Sequence, residues 1–321
     1  MPRYIIRRLL MLIPVLIGVA FVIFSLMYLT PGDPARIILG TQATPETIKA
    51  LRTEMGLDDS FVVQFGRYLF NVFLRGDLGR TYVTKSPVSR EIMAAFPQTL
   101  KLAFWSVLLL TVVGIPVGVI SAVKQYSWLD NTVMLLAMIA TAMPVFWLGL
   151  LLILFFSVHL GWFPSSGFGT PMSMVLPCVA VATPSMAVVV RMTRSSMLEV
   201  IRQDYIRTAR AKGQRESVVI FCHALTNALI PIITIIGLQF GVALGGAVLT
   251  ESVFSIHGVG RLMVDGIKMR DYPLVQGSVL YTAFAFSVVN LFVDILYACV
   301  DPRIKAQYRR AGGRKGAKIF G

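Results

Sequence analysis

The chain has 321 residues, of which 56% are hydrophobic and 14% are charged, and its formal net charge is +14. Water-soluble domains need about 25% charged residues to cover their surface. This composition therefore excludes an ordinary soluble globular protein and predicts a chain that folds in a lipid bilayer.

Runs without Asp, Glu, Lys or Arg predict the membrane spans, because about 20 helical residues cross the roughly 30 Å of hydrocarbon. The run 131–190 is long enough for two crossings, and its Gly- and Pro-containing stretch 161–167 predicts the turn between them. We therefore expect an all-α integral membrane fold with six transmembrane helices in one polytopic domain, 1–321. The expected spans are 9–30, 100–123, 132–157, 173–193, 229–250 and 274–298.

Lys and Arg are concentrated near both ends of the chain and in the loop after the fourth span. Cytosolic loops of membrane proteins carry this excess. We therefore expect both termini, the loop 194–228 and the basic tail 299–321 to be cytosolic, and the nearly neutral segment 31–99 to be external. Because no basic stripe is interleaved with aromatic residues as in single-strand binders, the charge does not indicate a nucleic-acid partner.

The N-terminus resembles a signal peptide, with Arg3, Arg7 and Arg8 before an apolar stretch. That stretch is longer than the apolar region of a signal peptide, and it lacks a small-x-small cleavage site. We expect it to remain attached as the first span. Three cysteines without a CxxC pair and three scattered histidines favour neither a disulfide framework nor a metal site, and no cofactor is expected.

Two helices are predicted in the external segment 31–99. Thr44 is placed to cap the first helix, with Pro45 in its first turn and Gly56 as its stop. The second begins at Ser60 and ends before Gly76. This segment is either a docking platform for an external partner or a lid packed on the helix ends, and composition favours neither.

Helix breakers within the spans predict a kinked bundle around a possible cavity, because lipid cannot satisfy the carbonyls that they free. The candidate residues of a translocation pathway are Thr141, Pro144, Thr183, Pro184 and Gln239. Ordinary packing of kinked helices explains the breakers equally well, and an interhelical hydrogen bond is the favoured role for Gln239. The repeat of glycine at 237, 241 and 245 predicts close approach of another helix.

Asp294 is an acidic residue inside the sixth predicted span. Such a residue is a functional candidate, here for proton coupling. A structural ion pair is the favoured alternative, because Asp294 lies only about two helical turns from Pro302 and Arg303, where a cytosolic Arg or Lys is within reach. The sequence shows neither a second embedded acid nor an inverted half-repeat, which argues against a secondary transporter. A proton-coupled carrier using Asp294 and a non-transporting membrane scaffold therefore remain the alternatives from other functional classes.

The segment 204–213, Asp-Tyr-Ile-Arg-Thr-Ala-Arg-Ala-Lys-Gly, predicts a short surface helix. We expect Asp204 to cap it and Gly213 to end it in a left-handed turn. Its alanines keep the surface low, and the cations at 207, 210, 212 and 215 would suit an acidic groove. An ordinary positive loop is the alternative.

This segment resembles the coupling-helix motif of binding-protein-dependent ABC importer permeases of the dipeptide, oligopeptide and nickel group. The group's pattern Tyr-x-Arg-Thr-Ala-Arg-Ala-Lys-Gly matches 205–213, and its His-x-Leu-x-Asn-Ala-x-x-Pro matches 223–231. Other landmarks of the group occur in order at 31–34, 56–58, 76–79, 270–273 and 301–303. Ile256 and His257 depart from the Trp-Pro that such permeases often have.

The resemblance implies a type I ABC importer permease, a subunit without catalysis of its own, in a bacterial plasma (inner) membrane. It would form half of a pathway for di- and oligopeptides, or alternatively for nickel chelates or glutathione. The implied partners are a second homologous permease in a heterodimer, two cytosolic ABC ATPases, an extracytoplasmic binding protein and membrane lipid. The implied ATPase-coupling residues are Asp204, Tyr205, Arg207, Thr208, Ala209, Arg210, Ala211, Lys212 and Gly213. Accordingly, the sequence has no GxxxxGK[ST] phosphate-binding loop.

Overall fold

The computed structural model describes residues 2–40 and 43–300. Within these ranges the regular structure is helical, apart from an antiparallel bridge between Arg80 and Pro87. The predicted all-α membrane fold is therefore confirmed. The basic tail from 301 onward, with the 301–303 landmark, lies outside the described residues.

The described residues form thirteen α-helices. They are α1 (Pro2–Leu29), α2 (Pro34–Leu39), α3 (Pro45–Met55), α4 (Phe61–Leu69), α5 (Val88–Val123), α6 (Trp128–Ala142), α7 (Val145–Leu152), α8 (Pro171–Ile201), α9 (Asp204–Ala211), α10 (Glu216–Val218), α11 (Thr226–Val253), α12 (Val259–Met269) and α13 (Tyr272–Val300). Wider π-helical turns occupy Phe70–Leu74, Ile153–His159 and Val219–Leu225.

The chain divides into two compact units, each assembled from separated stretches of sequence. The first unit contains the described residues up to Ala103, with 149–177 and 244–287. The second unit contains 104–148, 178–243 and the described residues from Val288 onward.

Five helical segments of the described chain are long and apolar enough to cross a membrane. They are Arg8–Leu29, Val88–Val123, Pro171–Ile201, Glu216–Gly245 and Tyr272–Ile295. A sixth crossing results if Trp128–Ala142 and Val145–His159 form one span, bent by 105°. Pro144 lies in that bend, where its missing N–H and its ring interrupt a helix, so a predicted kink is confirmed here.

The two helices predicted between the first and second spans are confirmed as α3 and α4. Thr44 Oγ1 accepts a hydrogen bond from the N–H of Thr47 at 3.4 Å, and Gly56 closes α3 in the left-handed region with φ 66°. Ser60 precedes α4, which continues as a π-helical turn to Leu74. The ring of Phe65 in α4 lies 5.4 Å from that of Phe24 in α1, so this segment packs on the end of the first span.

Candidate functional site

The helix α9 follows α8 after a tight turn, in which the N–H of Gln203 donates to the carbonyl of Val200 at 3.0 Å. The prediction that Asp204 caps α9 is wrong. Gln203 has the extended backbone of the N-cap position, so the helix begins one residue earlier and Asp204 is its first residue. Oδ1 of Asp204 lies 3.7 Å from Nη1 of Arg207. The carboxylate also complements the positive end of the helix dipole.

Gly213 ends this segment as predicted. Its φ of +75° lies in the left-handed region, and its N–H donates to the carbonyl of Arg210 at 2.9 Å. A Cβ added at Gly213 would meet nothing within 4 Å. Glycine is therefore required here by the backbone conformation and not by lack of space.

Ile206 anchors α9 to the rest of the second unit. It is 0% exposed and belongs to a buried apolar cluster with Met197 of α8 and Val219 of the π-helical turn before α11. Half-buried Ala209 packs against the same cluster, one helical turn later. Ile206 was absent from the predicted site, although its i, i+3 spacing with Ala209 in an otherwise polar helix is a signal for an inward face.

The predicted coupling residues form the outward part of this segment. Ala209 is half-buried, and the other eight are exposed. The Arg207 side chain is 75% exposed, and Lys212 is exposed beyond the last turn. The result is a low, cationic surface whose position is set by the buried side of the helix.

Arg210 and Glu216 close the turn around Gly213. Arg210 Nη2 and Nε lie 2.6 and 3.1 Å from the two carboxylate oxygens of Glu216. These hydrogen bonds raise the pKa of the Arg210 guanidinium above its ordinary value. Arg210 is therefore held inside the loop by two short hydrogen bonds, whereas the Arg207 side chain is 75% exposed and lies 3.7 Å from Asp204.

The second half of the sequence pattern contacts the loop that follows Gly213. His223 Nε2 lies 2.7 Å from Gln214 Oε1, just beyond Gly213. Asn227 Nδ2 donates to the carbonyl of His223 at 2.6 Å. His223 and Asn227 therefore support the loop that follows α9.

The predicted pathway residues lie on three helices of the second unit, with Thr141 on α6, Thr183 and Pro184 on α8 and Gln239 on α11, and with Pro144 in the break after α6. Thr141 and Thr183 donate to carbonyls four residues earlier in their own helices. Thr183 also lines an apolar cavity of about 340 Å³ between α5, α6 and α8. Gln239 is buried and accepts a hydrogen bond from Ser185 Oγ at 3.1 Å, so the interhelical bond favoured for it is confirmed.

The chain matches family models and curated proteins over most of its length. The family model for the binding-protein-dependent transport system inner membrane component matches 114–306, and the model for the N-terminal part of such components matches 1–103. The dipeptide transport system permease protein DppB of Alkalihalophilus pseudofirmus is 43% identical over 95% of this chain and 100% of its own length. The glutathione transport system permease protein GsiC of Pectobacterium atrosepticum is 44% identical over 95% of this chain and 99% of its own length.

A solved structure supports the same fold. The inward-facing MetNI methionine ABC transporter matches 65% of this chain and 96% of its own, with a TM-score of 0.56 and 21% sequence identity. At that identity the likeness concerns the fold alone. The two family models and the relatives identify the chain as a member of the family of binding-protein-dependent transport system inner membrane components, the multi-pass permeases of ABC importers.

Proposed function

We propose that this permease subunit forms half of the pathway of an ATP-driven importer of di- and oligopeptides, and that α9 is its coupling helix. One observation carries this proposal: α9 is fixed by buried Ile206 and turns exposed, cationic Arg207 outward. A helix held on one side and presenting a low surface on the other is suited to transmit displacement from a bound partner.

The partners follow from the family. Permeases of this kind work with ATPase subunits and a substrate-binding protein. We propose two cytosolic ATPases that receive α9, a binding protein on the opposite side, and a second, homologous permease that completes a heterodimer in the lipid bilayer. Hydrolysis then belongs to the ATPases, and this subunit converts their closure into movement of the spans.

The orientation is proposed from the distribution of charge. Arg207, Lys212 and Arg215 follow the fourth span, and cytosolic loops carry such an excess of basic residues. We therefore propose that both termini and the loop 194–228 lie in the cytosol of a bacterium, and that the segment 31–99 lies outside the plasma membrane. The tail 299–321 then belongs to the cytosolic side.

The substrate is proposed from relatives. Permeases named for dipeptide, peptide and glutathione transport are 43–44% identical to this chain. Glutathione is itself a tripeptide, so a peptide backbone is the chemistry that these names share. The predicted pathway residues are Thr141, Pro144, Thr183, Pro184 and Gln239, of which Thr183 faces a cavity.

The decisive variant is Gly213→Leu in the assembled transporter, reconstituted in proteoliposomes with its binding protein. Leu at φ +75° costs about 1–2 kcal/mol of backbone strain and reorients the end of α9. We expect peptide uptake to be abolished while ATP hydrolysis continues without stimulation by the binding protein. Insertion of the permease into the membrane should be unchanged.

Gly161→Leu is the matched control. Gly161 has φ +64° and, like Gly213, has nothing within 4 Å of an added Cβ, but it lies in the loop before α8. The same backbone strain is therefore applied away from α9, and uptake should persist. Equal uptake by the Gly213→Leu and wild-type transporters would overturn the coupling role of α9.

A further inference from the structure

A buried ion pair joins α6 to α8 in the second unit. Asp130, near the start of α6, is 1% exposed. Arg194 of α8 donates to both of its carboxylate oxygens, from Nε to Oδ1 at 2.6 Å and from Nη2 to Oδ2 at 2.7 Å. Two planar groups joined by two parallel hydrogen bonds are fixed in orientation as well as in distance.

The same carboxylate also holds the end of α5 and the turn between α5 and α6. Ser121 Oγ donates to Oδ1 at 2.5 Å, and the backbone N–H of Tyr126 donates to Oδ2 at 2.9 Å. Asp130 therefore accepts four hydrogen bonds from three stretches of chain. A buried carboxylate with this many donors is fully satisfied and resists reorientation.

Arg194 is also close to α9 along the chain. Met197 follows it by three residues on α8, is 0% exposed, and shares the apolar cluster of Ile206. Two contacts in series therefore connect α9 to α6. The apolar cluster of Ile206 and Met197 joins α9 to α8, and the ion pair of Arg194 with Asp130 joins α8 to α6. Of the predicted coupling residues, Ala209 packs against the apolar cluster, and none belongs to the ion pair.

Stability is a poor explanation for this pair. Removing a carboxylate and a guanidinium from water is unfavourable, and well-packed apolar residues are often equally stable in their place. Apolar packing, however, allows helices to slide in small steps, whereas a two-point ion pair does not. The ion pair is therefore suited to make α6 follow a movement of α8 without sliding.

From this geometry we infer that Asp130 and Arg194 are positioning residues, which make α6 move together with α8 and α9 when the ATPases close. The inference rests on the proposed role of α9. Its direct consequence is that the distance between α6 and the end of α8 stays constant through the ATP cycle. Loss of the ion pair should release α6 from that movement.

The test uses spin labels on Met138 of α6 and Glu199 of α8, both exposed. The native cysteines, which include exposed Cys222, are first replaced by Ser. The distance between the labels is measured in the assembled transporter in nanodiscs, without nucleotide and with ATP and vanadate. We expect the same distance in both states for the wild-type ion pair.

Arg194→Lys is the informative variant, because it keeps the charge and loses the two-point contact. We expect the distribution of its label distance to shift or broaden with ATP and vanadate. In proteoliposomes, its peptide uptake per ATP hydrolysed should fall about fivefold or more, as for ordinary coupling between sites. Arg202→Lys is the matched control, since exposed Arg202 makes one 3.4 Å contact, with Gln125. It should behave as the wild type does.

A change of the label distance in the wild type with ATP and vanadate would overturn the inference. An Arg194→Lys variant whose label distance and whose peptide uptake per ATP hydrolysed both match those of the wild type would overturn it as well. If that variant does not assemble, Asp130→Asn provides the same measurement with a neutral side chain of equal size. The proposed function fails separately: a wild-type transporter that hydrolyses ATP without peptide uptake would contradict it. The distance measurement would still be interpretable in that case.

Discussion

Gly118 of α5 lies directly against Thr193 of α8. A Cβ added at Gly118 would stand 2.6 Å from the Cβ of Thr193 and 2.8 Å from the carbonyl oxygen of Val190. One of these two atoms is backbone and cannot move aside as a flexible side chain does. Gly118 is thus required for the close approach of α5 and α8 beside the Asp130–Arg194 pair.

We predict that Gly118→Ala destabilises the permease by about 1–3 kcal/mol, the usual cost of overpacking. Gly18→Ala is the control, because Gly18 also lies inside a helix but has nothing within 4 Å of an added Cβ. That change should be neutral or stabilise by up to about 1 kcal/mol, since Ala is the better helix former. Thermal unfolding in detergent checks both, and equal stability of the two variants would contradict the packing explanation.

Ile206→Ala should remove the anchor of α9. Leaving a cavity in a buried cluster costs about 2–5 kcal/mol, whereas Ile206→Val should cost about 0.5–1.5 kcal/mol. Because the cluster includes Met197 and Val219, the loss should loosen α9 on both sides. Limited proteolysis at the arginines of 202–215, together with thermal unfolding, measures this effect.

A surface change near the same place is the control for that series. Val218→Ala alters an exposed apolar side chain at the end of α10 and should change stability by no more than about 0.5 kcal/mol. Proteolysis of the Ile206→Ala variant at the rate of the Val218→Ala variant would show that Ile206 does not hold α9.

Within the first unit, Asp271 connects the turn after Gly79 to the start of α13 through hydrogen bonds. It is buried, and its Oδ2 accepts a hydrogen bond from the N–H of Tyr82 at 2.9 Å while Oδ1 accepts one from the N–H of Leu274 at 3.3 Å. Burial raises the pKa of this carboxyl above its ordinary value of 3.8, although the backbone hydrogen bonds oppose the shift.

This direction predicts how stability depends on pH. Because its pKa is raised on folding, the folded state binds the proton of Asp271 more tightly than the unfolded chain does. The contribution of Asp271 is therefore most favourable below pH 3.8 and is lost as pH rises through the folded pKa. Asp271→Asn does not titrate, so its stability relative to the wild type should rise as pH increases from 3.8 toward neutrality.

Thermal unfolding of both proteins across that pH range measures the difference. Exposed Asp77→Asn is the control, because Asp77 lies in the same loop as Tyr82, outside the predicted spans, and accepts its hydrogen bond locally from the N–H of Gly79. A pH profile for Asp271→Asn parallel to that of the wild type would contradict the predicted sign.

Local signals explain which parts of the site could be predicted. Thr44, Pro45 and Gly56 bound α3 because capping and left-handed turns depend on adjacent residues. Gly213 was predicted for the same reason. Asp204 was misplaced by one residue, because an acidic residue is equally suited to the cap and to the first turn of a helix.

The sequence alone determined the class of this protein, its membrane-spanning helices and its resemblance to importer permeases, because composition, apolar run length and ordered motifs are properties of the chain itself. Only the tertiary structure decided what Ile206 of α9 packs against and which residue holds Asp130. Asp130 and Arg194 are 64 residues apart, and no periodicity links such distant positions. Their pairing depends on how α5, α6 and α8 pack together, and the contact of Gly118 with Thr193 belongs to the α5–α8 part of that packing.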